Sequence, residues 1–148
     1  MLIEKETGFS LIELLIVLVA VNFILLISYH QYIHKNNDHD FRIWYQQFEL
    51  DLILLQKQTM TTSTHEIIYF RPTSHYYGIQ KNTLTAPTIK REFPSDWIIS
   101  MNTLSHPISF THSGTIRHPG TMKIETDKNR YFIYFPFGKG RGYYVKNE

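Results

Sequence analysis

The chain has 148 residues, of which 43% are hydrophobic, 15% aromatic and 19% charged, and its formal net charge is +2. The length predicts a single domain, and the composition excludes a disordered acidic or basic chain. The sequence contains no cysteine, which excludes a disulfide framework, a thiolate metal site and a cysteine nucleophile.

The first strongly apolar segment occupies residues 9–27 and reads FSLIELLIVLVAVNFILLI. At a helical rise of about 1.5 Å per residue it would span roughly 28 Å, which matches the hydrocarbon core of a bilayer. We therefore predict a transmembrane helix over residues 9–27. A removable secretory signal peptide is the less favoured alternative, because no small-residue cleavage site follows the apolar segment.

Glu13 is the unusual residue of this segment. A carboxylate at the centre of a bilayer costs at least about 2.5–3.5 kcal/mol, and less near an interface. No cation lies within one helical turn of Glu13, so a partner must come from another chain or from a chain terminus. The alternative is a carboxylate that stays at the level of the lipid headgroups, close to the start of the helix.

The motif Gly8-Phe9-Ser10-Leu11-Ile12-Glu13 resembles the processing site of type IV prepilins and type II secretion pseudopilins. The resemblance implies that a membrane-embedded prepilin peptidase removes residues 1–8 as a leader, by cleavage between Gly8 and Phe9, and N-methylates Phe9. It also implies that Glu13 pairs with the amine on Phe9 of a neighbouring subunit and sets the register of assembly. The implied orientation has the N-terminus in the cytoplasm, although the leader carries one Lys against two Glu and is less basic than usual for the family.

Residues 28–63 are predicted to continue the helix in amphipathic form. Apolar residues recur at spacings of three and four and predict one buried stripe, made of Phe41, Trp44, Phe48, Leu52 and Leu55. Because neither Pro nor Gly occurs between Gly8 and Pro72, we predict one continuous helix from about residue 9 to about residue 60, with a weak point at residues 36–38.

His30, His34 and Asp38 share one face of this predicted helix. A metal site there would need further ligands and second-shell support. A solvated polar stripe is therefore the preferred interpretation, and we predict neither a metal nor a cofactor.

Residues 64–148 are predicted to form a β-rich head. Eight short segments are rich in Ile, Tyr, Phe, Val and Thr and are separated by turn residues: 66–71, 75–80, 88–93, 96–101, 107–111, 120–126, 130–135 and 142–146. This pattern predicts an antiparallel meander of about six to eight strands that buries the apolar stripe of the helix. The expected fold class is α+β, with a long N-terminal helix packed on a C-terminal antiparallel sheet, which is the architecture of type IV pilins.

Charge is distributed unevenly along the chain. Residues 9–64 carry three basic and five acidic groups, whereas residues 65–148 carry eleven basic and six acidic groups, a net of +5. The turn Gly138-Lys139-Gly140-Arg141-Gly142 places two cations at what is expected to be a mobile loop or a tight glycine hairpin. Either it is a solvated turn, or its cations contact double-stranded DNA; the candidate contacts are Lys139, Arg141, Arg117, Lys123, Lys128 and Arg130.

The last forty or so residues resemble the end of the H-type minor pseudopilins, and most of all the D-type minor pilins of the competence pilus of Gram-positive bacteria. The resemblance implies a minor pilin that takes part in pilus assembly and DNA uptake, first in the cell membrane and then at the cell surface. Its implied partners are the prepilin peptidase, other major and minor pilins, the membrane and, as a further candidate, DNA.

Two other functions stay open at this point: a minor pseudopilin of a protein secretion system, and a DNA-binding module displayed on the fibre. An enzyme is not expected, because the sequence has no G-x-S-x-G, H-E-x-x-H or phosphate-binding loop motif. No catalytic residue is therefore predicted.

Overall fold

The computed structural model describes residues 10–33, 37–62 and 65–147. The chain divides into two units, Met1–Asn36 and Asn37–Glu148. In the first unit the described element is helix α1 (Leu11–Ile33). The second unit starts with helix α2 (Asn37–Thr61), and among its described residues seven strands follow.

The predicted helical segments are confirmed before residue 34 and after residue 36. Residues 34–36 lie outside the described residues, and the prediction that one helix continues through them is therefore not tested. Among the described residues, no helix is both long and apolar enough to cross a membrane. The predicted transmembrane span begins at Phe9, which lies outside those residues.

The apolar stripe predicted for α2 is confirmed. Its five side chains are at most 7% exposed; they are Phe41, Trp44, Phe48, Leu52 and Leu55. Phe41 stacks on Tyr131 with ring centroids 3.6 Å apart, and Phe48 meets Tyr77 edge-on at 5.4 Å. Full burial of one such side chain stabilises the fold by about 1.5–3 kcal/mol. The stripe therefore holds α2 against strands of the head.

The strands form two antiparallel sheets. The first has the order β1-β2-β3 and comprises β1 (Ile67–Arg71), β2 (Tyr76–Gln80) and β3 (Ile89–Glu92). The second has the order β4-β5-β6-β7 and comprises β4 (Ile98–Ser100), β5 (Gly120–Glu125), β6 (Arg130–Phe135) and β7 (Tyr143–Asn147). Each sheet is a meander, and one core contains buried side chains from both sheets and from α2.

The prediction of a single sheet is wrong in two respects. First, β3 and β4 do not pair; Pro94 stands in the link between them and has no amide hydrogen to offer a ladder. Second, residues 107–111 form no strand. In that segment Ile108 pairs with Ile68 and Phe110 with Ile116 as isolated bridges, because Pro107 starts the segment without an amide donor and its residues find different partners.

Candidate functional site

The surface of α1 is apolar on every side. Fourteen large hydrophobic side chains between residues 11 and 27 are between 47% and 84% exposed, among them Leu14, Phe23 and Leu26. A helix that is hydrophobic all round is normally buried, in a protein core or in lipid. The α1 helix therefore carries an apolar surface of the kind that is normally buried.

The two polar side chains inside this apolar helix behave differently. Asn22 donates from Nδ2 to the carbonyl oxygen of Leu18 at 2.8 Å, so its amide is paired within the helix. Glu13 lies in the first turn of α1, where the helix dipole favours a negative charge. Among the described residues no side chain donates to its carboxylate. Gly8 and Phe9, the predicted cleavage and methylation residues, lie outside the described residues.

The six cations predicted to contact DNA fall into two groups at opposite ends of the β5–β6 hairpin. In this hairpin Glu125 pairs with Arg130 at one end and Gly120 with Phe135 at the other. Five residue steps at about 3.4 Å each separate the two ends by roughly 17 Å. The strand register therefore places candidate cations that are close in sequence in two separate groups.

The first group, at the β5–β6 turn, consists of Lys123, Lys128 and Arg130. Lys123 Nζ lies 3.2 Å from Glu125 Oε2, and Arg130 Nε lies 2.7 Å from Glu125 Oε1. The hydrogen bond from Lys123, followed by the one from Arg130, lowers the pKa of the Glu125 carboxyl. One ionised carboxylate thus offsets part of the positive charge at this end.

The second group, which we call the basic tip, consists of Arg117, Lys139 and Arg141, all exposed. The amide of Ile116 donates to the carbonyl oxygen of Lys139 at 3.1 Å, which brings the backbone of Arg117 beside that of Lys139. No ion pair joins any of these three cations to an acidic group among the described residues. The basic tip therefore presents positive charge that the described part of the molecule does not neutralise.

The basic tip is held in place by a contact with α2. Gln56 donates from Nε2 to the carbonyl oxygen of Gly114, and Gly140 lies so close that a Cβ there would overlap both groups. The glycine-rich turn thus belongs to the connection between the paired strands β6 and β7 and contacts α2. Gly140 is required because only a residue without a side chain fits between helix and turn.

Two carboxylates of α2 anchor this helix to the head, and neither role was predicted from the sequence. Asp38 accepts hydrogen bonds from Tyr131 Oη, from Asn129 Nδ2 at 2.8 Å and from Lys146 Nζ at 2.8 Å. The bond from Lys146, followed by the one from Tyr131, lowers the pKa of Asp38. Asp38 is therefore occupied in docking the start of α2, while His34 and the side chain of His30 lie outside the described residues.

The second anchor, Asp51, is only 3% exposed and binds Tyr77 and Arg91. The sequence does indicate that Asp51 is buried. It is three residues after Phe48 and four before Leu55, so it lies on the buried side of the helix. A charge on that side requires a partner. The identity of the partners could not be read from the sequence, because Tyr77 and Arg91 are distant in the chain.

The described fold defines an α+β protein with two N-terminal helices followed by antiparallel sheets. Compared with known proteins, the chain matches no family model, no curated protein and no solved structure.

Proposed function

We propose that this protein is a minor pilin, or pseudopilin, of a competence type IV pilus that takes part in pilus assembly and in DNA binding and uptake during transformation. The observation that carries the proposal is the apolar surface of α1, a helix that begins within the prepilin-like motif at residues 8–13. Both features fit assembly into a fibre. The motif resembles the site at which pilin subunits are processed, and an exposed apolar helix is suited to burial among equivalent helices of other subunits.

Assembly would cover the fourteen exposed apolar side chains of α1, each of which contributes about 1.5–3 kcal/mol when fully buried. Glu13 would then meet the amine on Phe9 of a neighbouring pilin. Two opposite charges in a low-dielectric fibre core offset part of each other's desolvation cost, and neither would be tolerated there alone. Glu13 would thus set the register between subunits.

Processing and localisation are carried over from the resemblance. The prepilin peptidase would cleave after Gly8 and N-methylate Phe9. The unassembled subunit would reside in the cell membrane, and the assembled one at the cell surface with the other major and minor pilins. Membrane anchoring rests on the apolar sequence of residues 9–27 and on the resemblance; among the described residues no helix is long and apolar enough to cross a membrane.

The basic tip supports the DNA-binding part of the proposal. Arg117, Lys139 and Arg141 have no acidic partner among the described residues, and Gly140 fixes the turn that carries two of them. Cations that are held in place and not neutralised are suited to a phosphate backbone, where binding releases counterions. Lys123, Lys128 and Arg130 lie outside the basic tip, and Glu125 offsets part of the positive charge there.

The second candidate function is a minor pseudopilin of a type II-like protein secretion system. It would use the same cleavage motif and the same apolar helix, so α1 does not separate the two. The excess of basic over acidic groups in residues 65–148 favours DNA as the cargo. A strain that lacks the protein separates them: loss of transformation with normal secretion supports a competence pilus, and the reverse result supports a secretion system.

Processing and assembly are tested with Gly8→Ala and Glu13→Ala in the host cell. We expect Gly8→Ala to stay uncleaved, and Glu13→Ala to be cleaved but not incorporated into fibres. Glu49→Ala, a partly exposed carboxylate on α2, serves as the matched control and should behave like the wild type. Normal cleavage of the Gly8→Ala chain would refute the processing assignment.

Contact of the basic tip with DNA is tested by the double charge reversal Lys139→Glu and Arg141→Glu. We expect weaker binding of duplex DNA and less DNA uptake. The slope of the logarithm of the binding constant against the logarithm of the salt concentration should become shallower by about one for each lost phosphate contact. The double reversal Lys123→Glu and Arg130→Glu is the comparison at the other end of the hairpin. Unchanged binding and uptake in the first variant would exclude the basic tip as a DNA contact.

A further inference from the structure

The outward face of the second sheet carries an array of aromatic side chains. Alternation along the strands turns Met122, Ile124, Tyr131, Ile133 and Phe135 into the core. Their sequence neighbours point the other way. Three aromatic residues of this outward set are adjacent: the Tyr134 and Tyr143 rings are stacked with centroids 5.3 Å apart, and the Phe132 ring lies 6.4 Å from that of Tyr134.

We call Phe132, Tyr134 and Tyr143 the aromatic row. The row is partly open to solvent, and Tyr143 at its end is 54% exposed. Tyr143 lies on β7, which is an edge strand of the sheet, so among the described residues no further strand pairs beyond it. Large aromatic rings left in water on one sheet face indicate a binding surface more than a structural need.

Cations flank the aromatic row, one by strand register and one by sequence. Lys123 is directly opposite Phe132 in the β5–β6 register. Arg141, a member of the basic tip, precedes Tyr143 by two residues and is exposed. Arg130 is on the same face as Phe132, two residues before it. Lys123, Arg130 and Arg141 together carry more positive charge than Glu125, the carboxylate that Lys123 and Arg130 share, can offset.

Aromatic rings between cations match the chemistry of a single-stranded nucleic acid. Its bases have free faces that stack on aromatic side chains, and its phosphates take the flanking cations. A duplex could use only the cations, because its bases are stacked on one another and hidden from the rings. The centroid spacings of 5.3 and 6.4 Å also exceed the base step of about 3.4 Å per strand in a duplex, which favours an extended single strand.

We infer that the outward face of β5–β7 is a binding surface for single-stranded nucleic acid, with bases against the aromatic row and phosphates at Lys123 and Arg141. The inference deepens the proposed DNA-binding function, on which it rests, and specifies single strands as the form bound on this face. Duplex contact at the basic tip and single-strand contact on the sheet then share Arg141.

The test uses the full-length chain in non-ionic detergent and the fluorescence anisotropy of a labelled oligothymidine and of a labelled duplex. Tyr143→Ala and Tyr134→Ala should each weaken binding of the single strand by about fivefold or more, as expected from the loss of one stacked base. Both variants should bind the duplex like the wild type. Tyr143 is exposed, so its replacement should leave the fold intact, as checked by circular dichroism.

Tyr69→Ala is the matched control. Tyr69 is also an aromatic residue of a sheet beside a cation, with the Arg71 guanidinium 5.0 Å from its ring centroid, but it belongs to the first sheet. It should bind the single strand like the wild type. Equal losses in Tyr69→Ala and Tyr143→Ala would overturn the inference.

The other outcomes are also decisive. If Tyr143→Ala binds oligothymidine as tightly as the wild type, the aromatic row is not a nucleic-acid site, even if the duplex still binds at the basic tip. If Tyr143→Ala loses fibre incorporation instead, the row is a contact for another pilin and the inference is again wrong. If the wild type binds neither oligonucleotide, both the inference and the DNA part of the proposed function fail, while the assembly tests with Gly8 and Glu13 remain unaffected.

Discussion

Tyr77 on β2 donates its hydroxyl hydrogen to Asp51 Oδ2 on α2 at 2.8 Å, with both side chains buried. Asp51 also accepts hydrogen bonds from Arg91 Nε at 3.1 Å and from Gln47 Nε2 at 3.1 Å. Burial, followed by the hydrogen bond to Asp51, raises the pKa of Tyr77 well above its ordinary range. The hydroxyl therefore stays a donor at any physiological pH, and the carboxylate joins the helix to two strands.

Replacement of Asp51 by Ala should lower the free energy of unfolding by about 2–4 kcal/mol, because it leaves a buried hydroxyl and a half-exposed guanidinium without their acceptor. Urea denaturation followed by the fluorescence of the two buried tryptophans, Trp44 and Trp97, measures the change. Glu49→Ala on the same helix is the control and should stay within about 0.5 kcal/mol of the wild type. A denaturation curve for Asp51→Ala that overlaps the wild-type curve would remove Asp51 as an anchor.

The imidazole of His106 makes the stability of the head sensitive to mildly acidic pH. His106 Nε2 accepts a hydrogen bond from the backbone amide of Phe70 at 2.8 Å, and an accepting nitrogen carries no proton. Burial lowers the pKa of His106 below its ordinary value of 6.5. The unfolded chain therefore takes up a proton first as the pH falls, and stability present above pH 6.5 is lost progressively below it.

We predict that the urea midpoint falls between about pH 7.5 and about pH 5.5, and that His106→Gln reduces this fall, because glutamine can accept the same bond without titrating. His118→Gln, at an exposed histidine in the loop before β5, should keep the wild-type slope. The assignment to His106 fails if His106→Gln and the wild type lose stability equally over that range.

Local patterns predicted the faces of the elements but not how the elements combine. The spacing of Phe41, Phe48 and Leu55 identified the buried side of α2 because a helix repeats every 3.6 residues. Seven of the eight predicted strands occur for a similar reason, since alternation and turn residues are local signals. The division into two sheets was missed, because pairing between strands depends on distant partners such as Ile68 and Ile108.

The same distinction applies to the candidate sites. The motif around Glu13 is contiguous and could be recognised in full. The six cations were named together because they are near one another in sequence, but their arrangement in space depends on the strand register. The partners of Asp51 and the neighbours of Gly140 could not be predicted either, because those contacts join segments far apart in the chain.

Gly140 provides a test of how rigidly the basic tip must be held. Alanine at this position would overlap Gln56 Nε2 and the carbonyl oxygen of Gly114. Since the carbonyl belongs to the backbone, the turn must shift. We predict that Gly140→Ala lowers the free energy of unfolding by about 1–3 kcal/mol and weakens duplex binding by moving Lys139 and Arg141.

The matched control is Gly138→Asn in the same turn. Gly138 has a φ of +69°, and a Cβ at this position would have no atom within 4 Å. Asparagine tolerates this left-handed conformation better than other residues with a side chain. The change in stability should stay within about 0.5–1 kcal/mol, with normal duplex binding. Equal effects of the two substitutions would show that backbone conformation, and not the contact with α2, determines the position of the basic tip.

The two polar side chains of α1 should differ in their importance for assembly. The amide of Asn22 is already paired with the carbonyl oxygen of Leu18 at 2.8 Å, so Asn22→Leu removes no interaction with another subunit. Glu13→Leu removes the charge that is proposed to meet the amine on Phe9. Both substitutions make α1 more apolar, so general hydrophobicity cannot explain a difference between them.

We predict wild-type amounts of the Asn22→Leu chain in sheared surface fibres and at least tenfold less of the Glu13→Leu chain. This difference corresponds to about 1.4 kcal/mol or more in the free energy of incorporation. Mass spectrometry verifies that both chains are cleaved. Equal incorporation of the two cleaved variants would mean that Glu13 does not set the register, and that burial of the apolar surface alone drives assembly.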